Sequence, residues 1–337
     1  MATYVYPDQK QLQAVEQELA PRLMKNRPIF ELMPIVEKDA FDLEWELLDN
    51  FTGLQGVRGL NGQPSRVKAI GMKRYQMAPG VYGEYAAIDE QQLTKRAALG
   101  TYDKPVDVTD LVGEKQMQLL QRRYDRIELI GWTLFSTGTF SVTDDTGAIL
   151  HTDSFTLQTQ NAAAVWSNAA ASTPLADFRT CQALGAGHGV SFGAKAKAYM
   201  RRSVWNEMIA NTNAADLYGR RTQGLGTFNN LLSVNQLLMG DDLPEIVVND
   251  ESYITDAGAV TRFLPADVVV IIGYRASGTP IAEYRMVRNA NNPNSAPGAY
   301  TRVIDDPNVI PREVKVHDGH NGGPVIYYGS NIVILAV

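Results

Sequence analysis

Two rhythms of apolar and polar residues run along this chain, and the slower one dominates its middle. Across residues 109–138, TDLVGEKQMQLLQRRYDRIELIGWTLFSTG, apolar side chains recur every three or four positions: Met117, Leu120, Tyr124, Ile127, Ile130 and Leu134. That spacing predicts one face of a single long helix. Gln118, Gln121, Arg122, Asp125 and Glu128 fall largely elsewhere. Thr109 or Asp107 caps the start by accepting a free backbone N–H. Gly138 ends the helix, because glycine takes the left-handed conformation of a C-terminal cap at little cost. At about 1.5 Å per residue the helix spans roughly 40 Å. Gly113 and Gly131 each weaken it by roughly 1 kcal/mol relative to alanine. Alone, it fits either the core helix of an α/β enzyme or a scaffold helix from which separate lobes project.

The faster rhythm appears first at Phe41, Leu43, Trp45 and Leu47, which alternate with Asp42, Glu44 and Glu46. Period two predicts a strand with one buried face. The turn-rich stretch LQGVRGLNGQPSRV follows, then a second extended run over 67–77. Residues 36–88 therefore read as a long hairpin with a flexible tip. Before it, Leu12, Val15 and Leu19 predict a helix that Pro21 should end or kink, and Pro28 and Pro34 bracket an extended segment. Such an arm lies either on its own domain or across a neighbour.

After the long helix, 139–142 and 149–157 read as strands joined at the turn DDTG, residues 144–147. The small-residue run 161–173 is a candidate lobe boundary. Beyond it helix and strand signals alternate. Helices are predicted at 174–184, 202–210 and 227–239, and strands at 195–200 and 245–249. A hairpin is predicted over 251–274, a polar loop over 289–298, and terminal strands at 313–316 and 324–337. The terminal strands are expected to return to an earlier sheet near the long helix and the 139–157 hairpin.

Composition narrows the class. The 337 residues carry a net charge of −6 and a single cysteine, Cys181. The balance is not that of a chain built to grip nucleic acid, and one cysteine forms no internal disulfide. No apolar run of about 18 residues predicts a membrane span, and the amino-terminal residues lack the order of a signal peptide. The expectation is a soluble chain that matures in a reducing cytoplasm. Charge is segregated within the predicted hairpin. Residues 37–49 hold Glu37, Asp39, Asp42, Glu44, Glu46 and Asp49 against Lys38, whereas 50–83 hold no acid and Arg58, Arg66, Lys68, Lys73 and Arg74. The two arms either pair across the hairpin or, as the turn-rich tip favours, meet an acidic patch of another copy.

Enzyme constellations are weak. GAGHGVSFG, residues 185–193, lacks the glycine spacing of a dinucleotide loop, and no phosphate-loop lysine pattern exists. His317, Asp318 and His320 cluster in VHDGHNGGP and could ligate a metal, but DG and NGG there are turn signals. His151 and His188 stand alone. Cys181 has no base partner in sequence. No catalytic, cofactor-binding or metal residues are nominated.

The order of parts resembles the Hong Kong 97 capsid fold of tailed bacteriophages, and within it the lambda-type major capsid proteins of the phage major capsid protein E family. The resemblance rests on four features: GTFSVTDDTGAIL after the helix; Trp166 followed by Pro174-Leu175-Ala176-Asp177; EIVVNDESYITDAGAVTRFLPADVVVIIG with Phe263-Leu264-Pro265 and Asp267; and the final ILAV. It implies an α+β subunit in four parts. These are an N-arm (1–35), an extended loop (36–88), a peripheral domain (89–173 and 309–337) with its spine helix at 109–137, and an axial domain (174–308). It further implies a structural, non-enzymatic virion protein that forms hexamers and pentamers around double-stranded DNA, assembled in the host cytoplasm. A separate scaffolding protein is expected, because the arm begins almost at once, together with a portal, a decoration protein and no membrane. An encapsulin-like compartment shell or, at the far end, a cytoplasmic α/β enzyme are the alternatives. Glu37, Asp42, Glu44, Glu46, Arg58, Arg66, Lys68, Lys73 and Arg74 are the candidate intersubunit residues. No pair is nominated for the covalent Lys–Asn cross-link of some relatives.

Overall fold

In a computed structural model the chain divides into two compact units. The described residues are 4–48, 54–60, 62–64, 72–96, 106–144, 146–211, 231–276, 280–306, 308 and 310–337.

The first unit comprises Met1–Glu44, Gln76–Ile130 and Glu283–Val325. Its centre is the strand Val314–Ile326. On one edge this strand pairs antiparallel with Ala299–Asp305, on the other with Gly80–Ile88, and the sheet continues through Ala282–Met286 to Ile35–Glu37. Alternate residues of a strand face opposite ways. Val314 and Val316 accordingly join Ile88, Leu12, Val112 and Leu119 in one apolar cluster under the long helix.

That helix, Thr109–Thr137, is 29 residues long. Asp107 Oδ1 accepts the Thr109 N–H at 2.9 Å, and Gly138 ends the helix with φ +72°. A Cβ on Gly138 would lie 2.9 Å from the Phe155 carbonyl oxygen, so the site needs glycine for space as well as conformation. Leu120, Tyr124, Ile127, Ile130 and Leu134 are buried as their spacing predicts, but Met117 is exposed and Glu128 wholly buried. Both reversals have a local cause. The buried stripe passes through Gln116 and Arg123, not Met117, and a salt bridge carries Glu128 inside.

The amino-terminal elements also depart from expectation. Gln9–Met24 is one helix that runs through Pro21. Pro21 faces solvent near the last turn, where exposed Gln17, whose carbonyl loses its helical N–H donor, can turn to water at modest cost. The segment between Pro28 and Pro34 contains the helix Pro28–Leu32, started by a proline at its first position.

The second unit comprises Trp45–Tyr75, Gly131–Ala282 and Ile326–Val337. Its mixed sheet runs Glu245–Val248, Lys197–Met200, Val268–Ile272, Ile332–Ala336, Gln158–Asn161. Helices Pro174–Ala183, Arg202–Ala210 and Leu231–Gly240 contribute Phe178, Val204, Trp205, Met208, Val234 and Leu238 to its core. The C-terminal strand pairs with Val268–Ile272 and Gln158–Asn161, not with the hairpin after the long helix. That hairpin, Thr139–Thr143 with Ile149–Ser154, is a sheet of its own. Of the hairpin predicted over 251–274, only Ser252–Ile254 and Val260–Arg262 pair with each other; Val268–Ile272 is too apolar for an edge and enters the central sheet. These units cut the chain at points other than the expected part boundaries.

Trp166 and Pro174-Leu175-Ala176-Asp177 form a staple. Asp177 accepts from the Trp166 indole N–H at 2.9 Å and from the Ala163 N–H at 3.1 Å, and the indole packs edge-on against Phe178. Replacing Asp177 with alanine leaves the buried Trp166 indole N–H unsatisfied and removes the partly buried bond from Ala163. The expected loss is about 1–3 kcal/mol of stability, read as an earlier tryptophan fluorescence transition in urea.

Candidate functional site: an extended hairpin and a buried charge network

The strands Leu43–Leu48 and Met72–Met77 pair as a two-stranded ribbon. Leu43 and Trp45 are buried while Glu44 and Glu46 are exposed, as period two requires; on the partner strand Met72 to Gln76, with Lys73 and Arg74 among them, are all exposed. Trp45 stacks between Tyr75, centroids 5.3 Å apart, and Phe155, 6.0 Å apart. The alternation starts at Leu43: Phe41 is exposed, because the strand has not begun there. The second arm ends at Met77, since Gly80–Ile88 belongs to the large sheet.

The candidate charges are dispersed within this chain. Asp42 accepts from Gln76 Nε2 at 2.7 Å, and Asp39 pairs with Arg288. Arg58 Nη1 donates to the Gly62 carbonyl at 3.3 Å, inside the tip itself. Glu37 is exposed at the end of its short strand. Arg66 and Lys68 lie outside the described residues. What charge counting passes over is apolar. Leu54, Val57 and Leu60 on the tip are fully exposed, with Phe41 and Met72 largely so. The signal was present as three aliphatic side chains in a turn-rich stretch, where nothing local could cover them.

A second cluster lies along the long helix. Arg123 Nε donates to Asp318 Oδ2 at 2.9 Å, and its two Nη atoms reach Asp318 Oδ1 and Glu16. Thr301 Oγ1 donates to Asp318 Oδ1 at 3.0 Å. Burial disfavours the guanidinium, but the two carboxylates outweigh it and raise its pKa. Further along, Arg27 Nη1 lies 2.8 Å from Asp125 and 3.0 Å from buried Glu128.

These contacts place the residues of VHDGHNGGP. The segment is part of one 13-residue strand, not a turn between two. Strand geometry sends Asp318 and His320 inward and His317 to the opposite face, against Tyr85. The three side chains therefore do not converge, and among the described residues no group of three His, Cys, Asp or Glu side chains is placed to share one ion. Gly319 has a packing role, since a Cβ there would meet the Tyr300 ring at 2.9 Å. Residues 185–193 likewise form a turn anchored by Val190 and Phe192 in the core. Cys181 is buried in that core, and burial pushes its thiol up to about 12.

His320 is wholly buried; its Nε2 lies 2.9 Å from the Tyr284 hydroxyl, and its ring stacks on Tyr82 at 5.1 Å. Burial, helped by Arg123, lowers its pKa from 6.5 to about 3. The unfolded chain therefore binds a proton that the folded chain excludes between those values. His320 destabilises the fold progressively as pH falls from about 6.5 towards 3. A His320→Gln variant is expected to show a shallower loss of stability across that window in urea titrations at successive pH values. An unchanged slope would remove His320 as a cause.

Comparison with known proteins gives these features a setting. The model of the family described as phage major capsid protein E matches residues 57–287. No curated protein matches. The solved structure described as the capsid protein of a prophage of E. coli CFT073 superposes with a TM-score of 0.61 at 14% identity, covering 98% of this chain and 99% of that one. A phage-related protein from Bordetella bronchiseptica RB50 superposes with a TM-score of 0.56 at 10% identity, covering 100% and 98%. At such identities the likeness is one of fold, and the fold is the Hong Kong 97 type. The family match spans well over half of the chain, including Val57 and Leu60 of the hairpin tip, the long helix and four of the five strands of the mixed sheet, so this chain belongs to the phage major capsid protein E family and is a structural protein of the virion capsid, not an enzyme.

Proposed function

We propose that copies of this chain associate through the extended hairpin into hexamers and pentamers, which close an icosahedral shell around double-stranded DNA. The observation that carries this is the tip itself. Leu54, Val57 and Leu60 face solvent completely in the single chain, and a two-stranded ribbon is marginal in water without a covering surface. A second copy supplies that surface in this reading. Glu37, Asp42, Glu44, Glu46, Arg58, Arg66, Lys68, Lys73 and Arg74 then steer the contact by charge and fix its register. The four-part organisation of N-arm (1–35), extended loop (36–88), peripheral domain (89–173, 309–337) and axial domain (174–308) belongs to the same proposal. So do assembly in the host cytoplasm and a separate scaffolding protein, a portal and a decoration protein as partners. DNA contact is weak and independent of sequence, in keeping with the acidic balance of the chain.

The electrostatic part is tested by salt. Raising ionic strength from about 0.1 M to 1 M shortens the screening length from about 10 Å to 3 Å. Assembled particles are expected to release subunits in a sedimentation assay as salt rises. Particles indifferent to salt would show that the charged arms contribute little and that the apolar tip carries the contact.

A further inference from the structure

We propose that residues 4–24 form a strap that opens as a unit about Lys25–Asn26, while residues 27–37 stay seated. The argument rests on what each contact would leave behind. The strap's helix buries one side chain, Leu12. Its amino end pairs Tyr4–Val5 with Val106–Asp107, and the Tyr6 hydroxyl donates to Asp305 Oδ2 at 2.5 Å. Glu16 meets Arg123, and Gln116 Nε2 donates to the Leu12 carbonyl at 2.7 Å.

Each charged group that receives the strap is held a second time by the body of the unit. Arg312 binds Asp305 at 2.7 Å, and Asp318 grips Arg123 with both oxygens. When the strap lifts, Glu16, whose side chain is already 23% exposed, returns to water, and Arg123 keeps Asp318, which is 4% exposed. No charge is stranded in the interior, and stranding is what makes the loss of a buried ion pair costly.

The next segment is built differently. Ile29, Phe30 and Met33 are buried, and Phe30 packs edge-on against Tyr124 with centroids 5.8 Å apart. Arg27 reaches into Asp125 and Glu128, and Ile35–Glu37 pairs parallel with residues 284–286. Between the two segments, Lys25 is extended and Asn26 has φ +66°, both exposed. The helix is broken there by backbone geometry, so the hinge is already formed.

Hydrogen exchange of the full-length chain, read by mass spectrometry, tests this. Local openings exchange faster than the global limit in contiguous blocks. Amides of 10–24 are expected to exchange at least about tenfold faster than those of 27–37 and 109–130, and Glu16→Gln is expected to speed 10–24 by about tenfold more while leaving the other two blocks unchanged. Exchange of 10–24 in step with 27–37, or acceleration by Glu16→Gln that spreads equally over 109–130, would overturn the proposal. Because Glu16 is partly exposed, the variant keeps its fold, which circular dichroism checks; the wild-type gradient is a second test needing no variant.

Discussion

Replacing Arg123 with alanine is expected to remove about 3–5 kcal/mol of stability, the cost of breaking a buried ion pair from one side. Arg123 sits between Asp318 and Glu16, and its loss strands the Asp318 carboxylate in a site that admits almost no water. Glu16 can turn outward, so Glu16→Gln is expected to cost far less. The effect belongs to the first unit. All four tryptophans, Trp45, Trp132, Trp166 and Trp205, lie in the second. Urea unfolding is therefore followed by far-ultraviolet circular dichroism. Removing both charges together, in Arg123→Met with Asp318→Asn, is expected to recover most of the loss, since a neutral amide keeps the bond from Thr301 and a thioether fills the guanidinium's volume. An Arg123→Ala variant within about 1 kcal/mol of wild type would mean that water reaches Asp318, contrary to its burial.

Trimming residues 54–66 is expected to abolish shell formation while each subunit stays folded. The trimmed stretch holds Leu54, Val57 and Leu60, all exposed, and no described residue of it is buried. Its removal should therefore leave the melting temperature of the subunit nearly unchanged. Burying one such aliphatic side chain contributes about 1.5–3 kcal/mol. Three per copy, repeated at every contact around a closed shell, make the difference between closed particles and dissociated subunits. Sedimentation of wild-type and trimmed protein side by side reads the loss, and a thermal melt reads the fold. Shells of the trimmed protein at wild-type yield would remove the tip from the contact. An unfolded trimmed subunit would show that the tip is part of the fold.

The strongly periodic stretches were legible because their information is local. The helix Arg202–Ala210 has the predicted ends, and Thr109–Thr137 ends where Gly138 supplies the left-handed residue. Pro28 at a first helical position was also a local signal, but two prolines six residues apart read more naturally as extended chain. What was not legible depends on distant partners. HDGHNGG looks like turns until Gly319 is seen making room for the Tyr300 ring and Gly322 for the backbone at Arg285. Ile332–Ala336 chooses its neighbours, Val268–Ile272 and Gln158–Asn161, from segments whose local patterns do not name each other. Arg123 stood in plain view between Leu119 and Ile127 on the apolar stripe, a charge that needed a partner, but Asp318 is 195 residues away. The site suffered the same limit from the other side. Counting charges along the hairpin singled out its two arms and passed over the aliphatic residues of its tip, which drew notice only once the structure left them uncovered.

The most direct test of a shell subunit is to run the purified protein on a sizing gradient and image the heaviest fraction by negative-stain electron microscopy. Closed polyhedral particles, or rings of five and six, are the expected result. A uniform small oligomer, with no higher assembly even beside a co-expressed scaffolding protein, would contradict the account.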